Sequence, residues 1–170
     1  MRIRNANLAD IKGIAKVHVD SWKTTYENII SEDFLNNLSY ESREKVWKTN
    51  MSNMNVYVAE NAEGDVVGFS TGGKERSGNY DGINGELYAI YILKEYQGQG
   101  LGRMLVKPVI DELLNLGIKS MLVLVLEKNS SFQFYEALGA RQIEIIEVEI
   151  AGDKQNEIVY GWDDIKAIQL

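Results

Sequence analysis

Three glycines at alternate positions, Gly98, Gly100 and Gly102, form the part of the sequence best suited to chemistry. They follow a β-branched and aromatic run, 86–93, and open a stretch whose leucines and valines recur at helical spacing as far as Gly117. Glycines in a loop that enters a helix remove Cβ atoms, so successive backbone N–H groups can approach an anion at the positive end of the helix dipole. The segment therefore predicts a strand, a loop that fits a diphosphate, and a helix.

Two familiar phosphate loops differ from this segment. A Walker loop requires Gly-Lys followed by Ser or Thr, whereas Gly102 is followed by Arg103 and Met104. A dinucleotide-binding loop has the form G-x-G-x-x-G near the start of a βαβ unit, but here the third glycine follows the second by two residues and most of the predicted sheet comes first. Taken alone, the glycines are also consistent with a turn that only connects a strand to a helix.

Two segments at matching separation resemble the GNAT superfamily of acyl-CoA-dependent N-acyltransferases. The phosphate loop of that family has the form Q/R-x-x-G-x-G/A, which residues 97–102 match in full. Residues 129–139 resemble the family's asparagine and F-Y-E-x-L-G helix, and residues 18–26 resemble the start of its substrate side. The resemblance covers roughly half the chain. Lys94 and Ala140 replace a proline and an aromatic residue that are common in the family, but neither change removes a catalytic group.

The resemblance implies a set of residues that bind acetyl-CoA. A β-bulge in the fourth strand would leave backbone groups unpaired along Ile90, Tyr91 and Ile92, and these would bind the pantetheine arm and polarise the thioester. Asn129 would bind the CoA arm through its amide, or would only form the turn that enters the following helix. The loop residues assigned to the co-substrate are Gln97, Gly98, Gln99, Gly100, Leu101, Gly102 and Arg103.

Acetyl transfer to an amine also requires a neutral amine and a proton for the departing thiolate. The resemblance assigns the proton to Tyr135, which would also contact the co-substrate; the alternative is that Tyr135 only packs on its helix face. Glu86 stands where several family members have the carboxylate that deprotonates the amine, directly or through water, and the alternative is a solvated charge at a strand end. No metal is required by this chemistry.

Two aromatic residues and one histidine near the N-terminus complete the candidates. Trp22 and Tyr26 are predicted to line the acceptor pocket, with core packing as the alternative for Trp22. His18 falls on the apolar stripe of the first helix, so we expect a hydrogen-bonded, half-buried histidine rather than a catalytic one.

Hydrophobic spacing predicts the elements that position these residues. The fold class is α/β, or α+β by some schemes. The resemblance implies a single GNAT-type domain over residues 1–170, with a central mixed, mostly antiparallel sheet of about 7 strands that is splayed between strands 4 and 5 and flanked by about 4 to 5 helices. Strands are predicted at 1–4, 56–59, 66–72, 86–93, 121–126, 141–150 and 156–162, and helices at 8–22, 34–38, 41–49, 101–116 and, capped by Ser130 or Ser131, to 138.

Composition limits the partners. The chain has 18 Lys plus Arg and 25 Asp plus Glu, a net charge of −7, which disfavours nucleic acid and anionic membranes. A polyanionic ligand must then be held locally, and within 94–107 the cations Lys94, Arg103 and Lys107 outnumber Glu95. With no cysteine and one histidine, the chain has neither a thiolate nucleophile nor a multi-histidine metal site. The sequence has no apolar signal core and no run of ~18 apolar residues, so we expect a soluble, cytoplasmic protein.

These observations predict an N-acetyltransferase. It would move an acetyl group from acetyl-CoA to an amine of a small molecule or peptide by direct attack in a ternary complex, which is consistent with the absence of a cysteine for a covalent relay. Two other hypotheses stay open: a non-catalytic acyl-CoA-binding or sensing module, and a structural dimer partner with vestigial binding. A homodimer would be in keeping with the family. The sequence does not choose among a polyamine, an aminoglycoside, and a lysine or N-terminal amine as acceptor.

Overall fold

In the computed structural model, which describes residues 1–170, seven strands form one sheet of order β1-β2-β3-β4-β5-β7-β6. Five helices flank this sheet, so the predicted fold class is confirmed. The strand β7 begins three residues earlier than predicted. The strands are β1 (Arg2–Asn5), β2 (Val56–Glu60), β3 (Val66–Lys74), β4 (Gly85–Ile92), β5 (Met121–Leu126), β6 (Arg141–Ile150) and β7 (Asp153–Trp162), and the helices are α1 (Ile11–Thr25), α2 (Glu32–Asn36), α3 (Tyr40–Asn50), α4 (Leu101–Asn115) and α5 (Phe132–Ala137).

The sheet opens between β4 and β5, its one parallel pair of strands. Only Gly85 and Glu86 are in register with β5, and the two strands separate beyond them. On the other side of β4, Thr71 and Gly72 pair with Ala89 and Leu87, which leaves Tyr88 as an extra residue. Such a β-bulge bends its strand and increases the local twist. The predicted splay and bulge are therefore confirmed, and the bulge lies at Tyr88.

Helix α4 packs against both halves of the opened sheet. Its first turns place Leu105 in a core with Phe69 of β3. Its later turns place Val109 and Leu113 in a second core with Met121 of β5. Because these apolar side chains are buried on both sides of the opening, the start of α4 is held in place relative to β4 and β5. The glycine loop precedes that helix start directly.

The β6–β7 hairpin places a non-glycine residue in left-handed backbone. Ile150 pairs with Asp153, and the two residues between them, Ala151 and Gly152, have φ angles of 56° and 83°. Positive φ at both positions is the signature of a type I′ turn, for which Asn-Gly is the preferred sequence. Alanine has no side-chain hydrogen bond to offset a left-handed conformation, which costs about 1–2 kcal/mol.

Replacing Ala151 with asparagine is therefore expected to stabilise the fold by about 0.5–1 kcal/mol, which raises Tm by about 1–4 °C. Ala62→Asn is the matched control, because Ala62 is also an exposed turn residue but does not have a positive φ. Differential scanning calorimetry of both variants provides the measurement. A Tm for Ala151→Asn at or below that of Ala62→Asn would contradict the argument.

Candidate active site

A cleft of about 800 Å³ lies in the opening between β4 and β5. Residues 87–92 of β4 and 123–125 of β5 line it, together with the glycine loop, the start of α4 and residues 128–131 and 133–135. This volume lies within the range of ~300–1,000 Å³ typical of small-molecule sites. The cleft brings together most of the predicted site residues: Tyr26, Ile90, Tyr91, Ile92, Gln97, Gly98, Gly100, Leu101, Gly102, Arg103, Asn129 and Tyr135.

Five successive backbone amides at the start of α4 have no acceptor within the protein. The N–H groups of residues 98–102 donate to no backbone carbonyl, and no side chain caps the helix. Gly98 and Gly100 have φ angles of 72° and 81°, and a Cβ at either would meet nothing within 4 Å. The space beside the loop is therefore open. Unpaired amides at the positive end of a helix dipole suit a phosphate group.

The third glycine of the loop is required by packing instead. A Cβ at Gly102 would lie 3.0 Å from the ring of Phe134, so glycine allows α4 to approach α5 closely. The two loop glutamines use their side chains within the loop: Gln97 donates to the Ile92 carbonyl at 2.9 Å, and Gln99 donates to the Glu95 carbonyl at 3.0 Å. Gln99 does not line the cleft, which leaves only its backbone amide for a ligand.

The charges that line the cleft are all positive. Lys94, Arg103 and Lys128 face it, and no aspartate or glutamate does. Lys107, which the sequence also suggested, instead pairs with Asp111 at 2.6 Å and lies outside the cleft. The sequence pattern missed Lys128, because it follows β5 and is distant from the loop along the chain. In a protein with a net charge of −7, this arrangement concentrates positive potential at one surface.

Tyr135 lies on the wall of the cleft in a buried position. It is 6% exposed, and its ring packs edge-on against Phe134 and Trp162, with centroids 5.4 and 6.3 Å apart. Burial, with a smaller contribution from the nearby Tyr91, raises the pKa of the Tyr135 phenol well above its usual value. The hydroxyl is therefore neutral at pH 7 and is present as a hydrogen-bond donor. Packing and access to the cleft occur together at this residue.

Asn129 forms the turn that enters α5 and also lines the cleft. It is 8% exposed, and its Oδ1 accepts a hydrogen bond from the Ser131 amide at 3.0 Å. Ser131 is the N-cap residue, as predicted, but its side chain makes no capping hydrogen bond. The Asn129 side chain bonds to the Ser131 amide instead, because an asparagine side chain readily bonds to the backbone two residues on. This turn uses only Oδ1 of Asn129, so the side-chain nitrogen takes no part in it.

A second cavity, of about 250 Å³, adjoins the cleft. It contains Trp22 and Glu86, two predicted site residues that do not line the cleft. Tyr26 lines both cavities, and its ring centroid lies 4.8 Å from that of Trp22. Ile150 of β6 also lines it. The cleft and the second cavity have five residues in common, Tyr26, Leu87, Tyr88, Tyr91 and Leu124. The structure therefore places two adjoining sites at the bulge of β4.

Glu86 is buried and ion-paired rather than solvated. It is 4% exposed, and its Oε1 accepts from Arg76 Nη2 at 2.5 Å while its Oε2 accepts from Arg76 Nε at 3.1 Å and from the Arg76 amide at 3.2 Å. The Arg76 guanidinium also lies 4.2 Å above the ring of Tyr88. A bidentate guanidinium favours the ionised carboxylate. Both carboxylate oxygens of Glu86 are therefore held by Arg76.

Comparison with known proteins bears on the activity of this pair of sites. The acetyltransferase (GNAT) family model matches residues 20–140. The uncharacterized N-acetyltransferase YuaI of Bacillus subtilis (strain 168) is 46% identical over 167 residues, which covers 98% of this chain and 95% of YuaI. The chain belongs to the GNAT acetyltransferase family. It is an acyl-CoA-dependent N-acetyltransferase.

Solved structures with the same fold include two GNAT proteins. The PaiA N-acetyltransferase from Thermoplasma acidophilum, in complex with coenzyme A, aligns with a TM-score of 0.71 and 21% identity over 94% of this chain and 96% of PaiA. YncA from Salmonella typhimurium, with acetyl-CoA, aligns with a TM-score of 0.70 and 24% identity over 95% of this chain and 92% of YncA. At these identities the likeness establishes the fold.

His18 has a structural role in this GNAT enzyme. Its Nδ1 accepts a hydrogen bond from Trp47 Nε1 at 3.0 Å, and its ring stacks on Tyr91 with centroids 5.2 Å apart. Burial, with a smaller contribution from the charge of Arg43, lowers the pKa of His18 to about 3. The imidazole is therefore neutral, and the expectation of a hydrogen-bonded, half-buried histidine is confirmed.

Glu157 of β7 is a site residue that the sequence did not indicate. It lies in the second cavity with Glu86, and burial raises the pKa of its carboxyl. In the sequence it is one of several charged residues in the strand pairs near the C-terminus, and only the register of β7 on β5, which pairs Glu157 with Leu126, brings it to the site.

The GNAT enzyme has no group of three His, Cys, Asp or Glu side chains arranged to hold a metal ion, and none of its helices is long and apolar enough to cross a bilayer.

Proposed function

We propose that this GNAT enzyme transfers an acetyl group from acetyl-CoA to a primary amine by direct attack in a ternary complex. The observation that carries the proposal is the junction of two sites of different charge. The charged residues of the cleft are all cationic and lie with a row of unpaired amides, whereas the charged residues of the adjoining second cavity are two glutamates and one arginine. An anionic co-substrate and a cationic amine would therefore meet at the bulge of β4, and the acetyl-CoA and coenzyme A of YncA and PaiA support the first assignment.

The residues of the cleft fit acetyl-CoA in size, charge and hydrogen bonding. The amides of 98–102 would hold the diphosphate, with Lys94, Arg103 and Lys128 balancing its charge. The edge of β4 at 90–92, which has left β5, would bind the pantetheine arm, and the Asn129 side-chain nitrogen would donate to the same arm. When bound, acetyl-CoA supplies the activated thioester.

Three groups of the protein would then act on the reacting atoms. A backbone N–H on the unpaired edge of β4 would donate to the thioester oxygen as negative charge develops there. Tyr135 would donate its phenolic proton to the departing sulfur, because it lines the cleft and a phenol is protonated at neutral pH. Glu86 stays a candidate for deprotonating the amine, directly or through water, on condition that Arg76 withdraws from it.

Acetylation of a panel of amines tests this proposal. Because the chain has no cysteine, a thiol reagent reports only the CoA that is released. We expect release with at least one of n-butylamine, spermidine, an aminoglycoside and a lysine-containing peptide, and intersecting rather than parallel lines in double-reciprocal plots. Calorimetric CoA binding without any release would instead indicate a non-catalytic acyl-CoA-binding module. If CoA did not bind at all, the cleft would be misassigned.

A further inference from the structure

The second cavity contains a charged group that the reaction described above does not use. Its three charged residues are Arg76, Glu86 and Glu157. The first two neutralise each other in a bidentate ion pair. The Glu157 side chain makes no hydrogen bond or ion pair. Burial alone therefore acts on its carboxyl and raises the pKa. A half-buried carboxylate without a partner leaves the second cavity with an uncompensated negative charge, and such a site favours a cationic ligand.

The rings around Glu157 suit the same kind of ligand. Trp22 and Tyr26 come from the end of α1, and Tyr88 and Tyr91 come from the bulged part of β4. An ammonium group is attracted to the faces of such rings as well as to a carboxylate. The volume of about 250 Å³ lies below the ~300–1,000 Å³ of sites that enclose a whole small molecule. The cavity therefore suits an amine-bearing arm.

We propose that Glu157 binds the ammonium group of the acceptor and takes up its proton, and that the acceptor presents this group on an aminoalkyl arm. The proposal rests on the acetyl transfer proposed above and names the base and the substrate class for it. Glu157 is free to accept a proton because its oxygens, unlike those of Glu86, accept no hydrogen bond from the Arg76 guanidinium.

The proton balance of the reaction is complete with this assignment. The Glu157 carboxylate removes one proton from the ammonium group, and the resulting amine forms the N–C bond to the acetyl carbon as the C–S bond breaks. The sulfur takes the proton of Tyr135, and the second proton lost by the nitrogen returns to Tyr135. Glu157 then releases its proton to solvent, so the reaction yields an amide, CoA and one proton. A base with a raised pKa performs such a transfer more readily near neutral pH.

The pH dependence follows from the groups that face Glu157. These are Arg76 with Glu86 beside it, Tyr26 at the end of α1, Tyr88 and Tyr91 on β4, and Tyr80, whose pKa Glu157 helps to raise. The tyrosines are neutral near pH 7, and burial raises the pKa of each further above that pH. As pH falls through the pKa of Glu157, its carboxyl gains a proton and loses its attraction for an ammonium. We expect kcat/KM for the amine to fall along this acid limb.

The decisive experiment compares Glu157→Gln with the wild type, using n-butylamine as the acceptor probe and 1-butanol as an uncharged probe of the same length. Calorimetric titration of n-butylamine into the enzyme–CoA complex should show at least ~10-fold weaker binding in Glu157→Gln, because a charge-assisted hydrogen bond is lost. The response to 1-butanol should not change. The acid limb of kcat/KM should also disappear in this variant, whereas the Kd for CoA stays within about twofold of the wild-type value.

Two further variants keep the result interpretable. Glu157→Asp retains the charge and should bind n-butylamine more tightly than Glu157→Gln does. Glu147→Gln removes an exposed glutamate of the same hairpin, one that pairs with Lys154 outside the second cavity, and should behave as the wild type. If n-butylamine bound Glu157→Gln as tightly as the wild type, or if Glu86→Gln rather than Glu157→Gln removed the acid limb, the assignment to Glu157 would be wrong. If the wild type acetylated no amine, the proposed function would fail, but the butylamine titration would still decide whether Glu157 binds an ammonium.

Discussion

Replacing Tyr135 with phenylalanine is expected to lower kcat by about 10²–10³-fold and to change the Kd for acetyl-CoA by less than about twofold. The substitution removes only the hydroxyl, so the ring contacts with Phe134 and Trp162 remain. Without a donor, the sulfur must leave as an unprotonated thiolate or take its proton from water. Steady-state kinetics with a saturating amine give kcat, and calorimetry gives the Kd.

Tyr160→Phe is the matched control for this prediction. Tyr160 is 2% exposed, and its hydroxyl donates to Glu136 at 2.8 Å outside the cleft. Its loss therefore removes a buried tyrosine hydroxyl of similar burial without touching the reacting atoms. We expect a lower Tm for Tyr160→Phe and a kcat within about twofold of the wild-type value. An unchanged kcat in Tyr135→Phe would show that Tyr135 only packs against its neighbours.

Replacing Gly100 with valine is expected to raise the Kd for CoA by at least ~100-fold. A β-branched residue at a φ of 81° is strained by about 1–2 kcal/mol, so the loop moves away from its geometry. The new side chain also occupies the open space beside the amides of 98–102, where the diphosphate would bind. Loss of even one charge-assisted hydrogen bond adds about 1.5–3 kcal/mol to the cost of binding. Calorimetric titration with CoA measures the change.

Gly64→Val separates the loss of the ligand site from the strain itself. Gly64 has a φ of 90° and equally open surroundings, but it lies in the turn between β2 and β3 and not at the cleft. Both variants should lose a similar amount of thermal stability, whereas only Gly100→Val should lose CoA affinity. Equal CoA affinity in the two variants would show that the glycine loop is only a connection between strand and helix.

The parts of this protein that could be predicted from the sequence are those that depend on neighbouring residues. The strand–loop–helix unit around Gly98 and Gly100 follows from backbone conformation and from hydrophobic spacing within some thirty residues. The same holds for Asn129 and Tyr135, which lie in one short segment after β5. Each of these four residues lines the cleft.

Charge compensation was not predictable in the same way. The buried Glu86 has an ion-pair partner because the loop after β3 returns Arg76 to the start of β4, and no spacing rule indicates that contact. Lys107 was predicted to act at the loop and Lys128 was not, for a similar reason. The face of α4 directs Lys107 toward Asp111, whereas the end of β5 directs Lys128 into the cleft.

By itself, the sequence determined the order of the elements, the family and the loop that suits a diphosphate, because hydrophobic periodicity and glycine conformation are properties of short segments. Only the tertiary structure decided how the sites meet. The bulge at Tyr88 separates β4 from β5, the pairing of β7 with β5 brings Glu157 into the second cavity with Glu86, and the ion pair with Arg76 distinguishes the two carboxylates. Whether a buried charge is neutralised depends on groups that are distant along the chain, and folding alone brings them together.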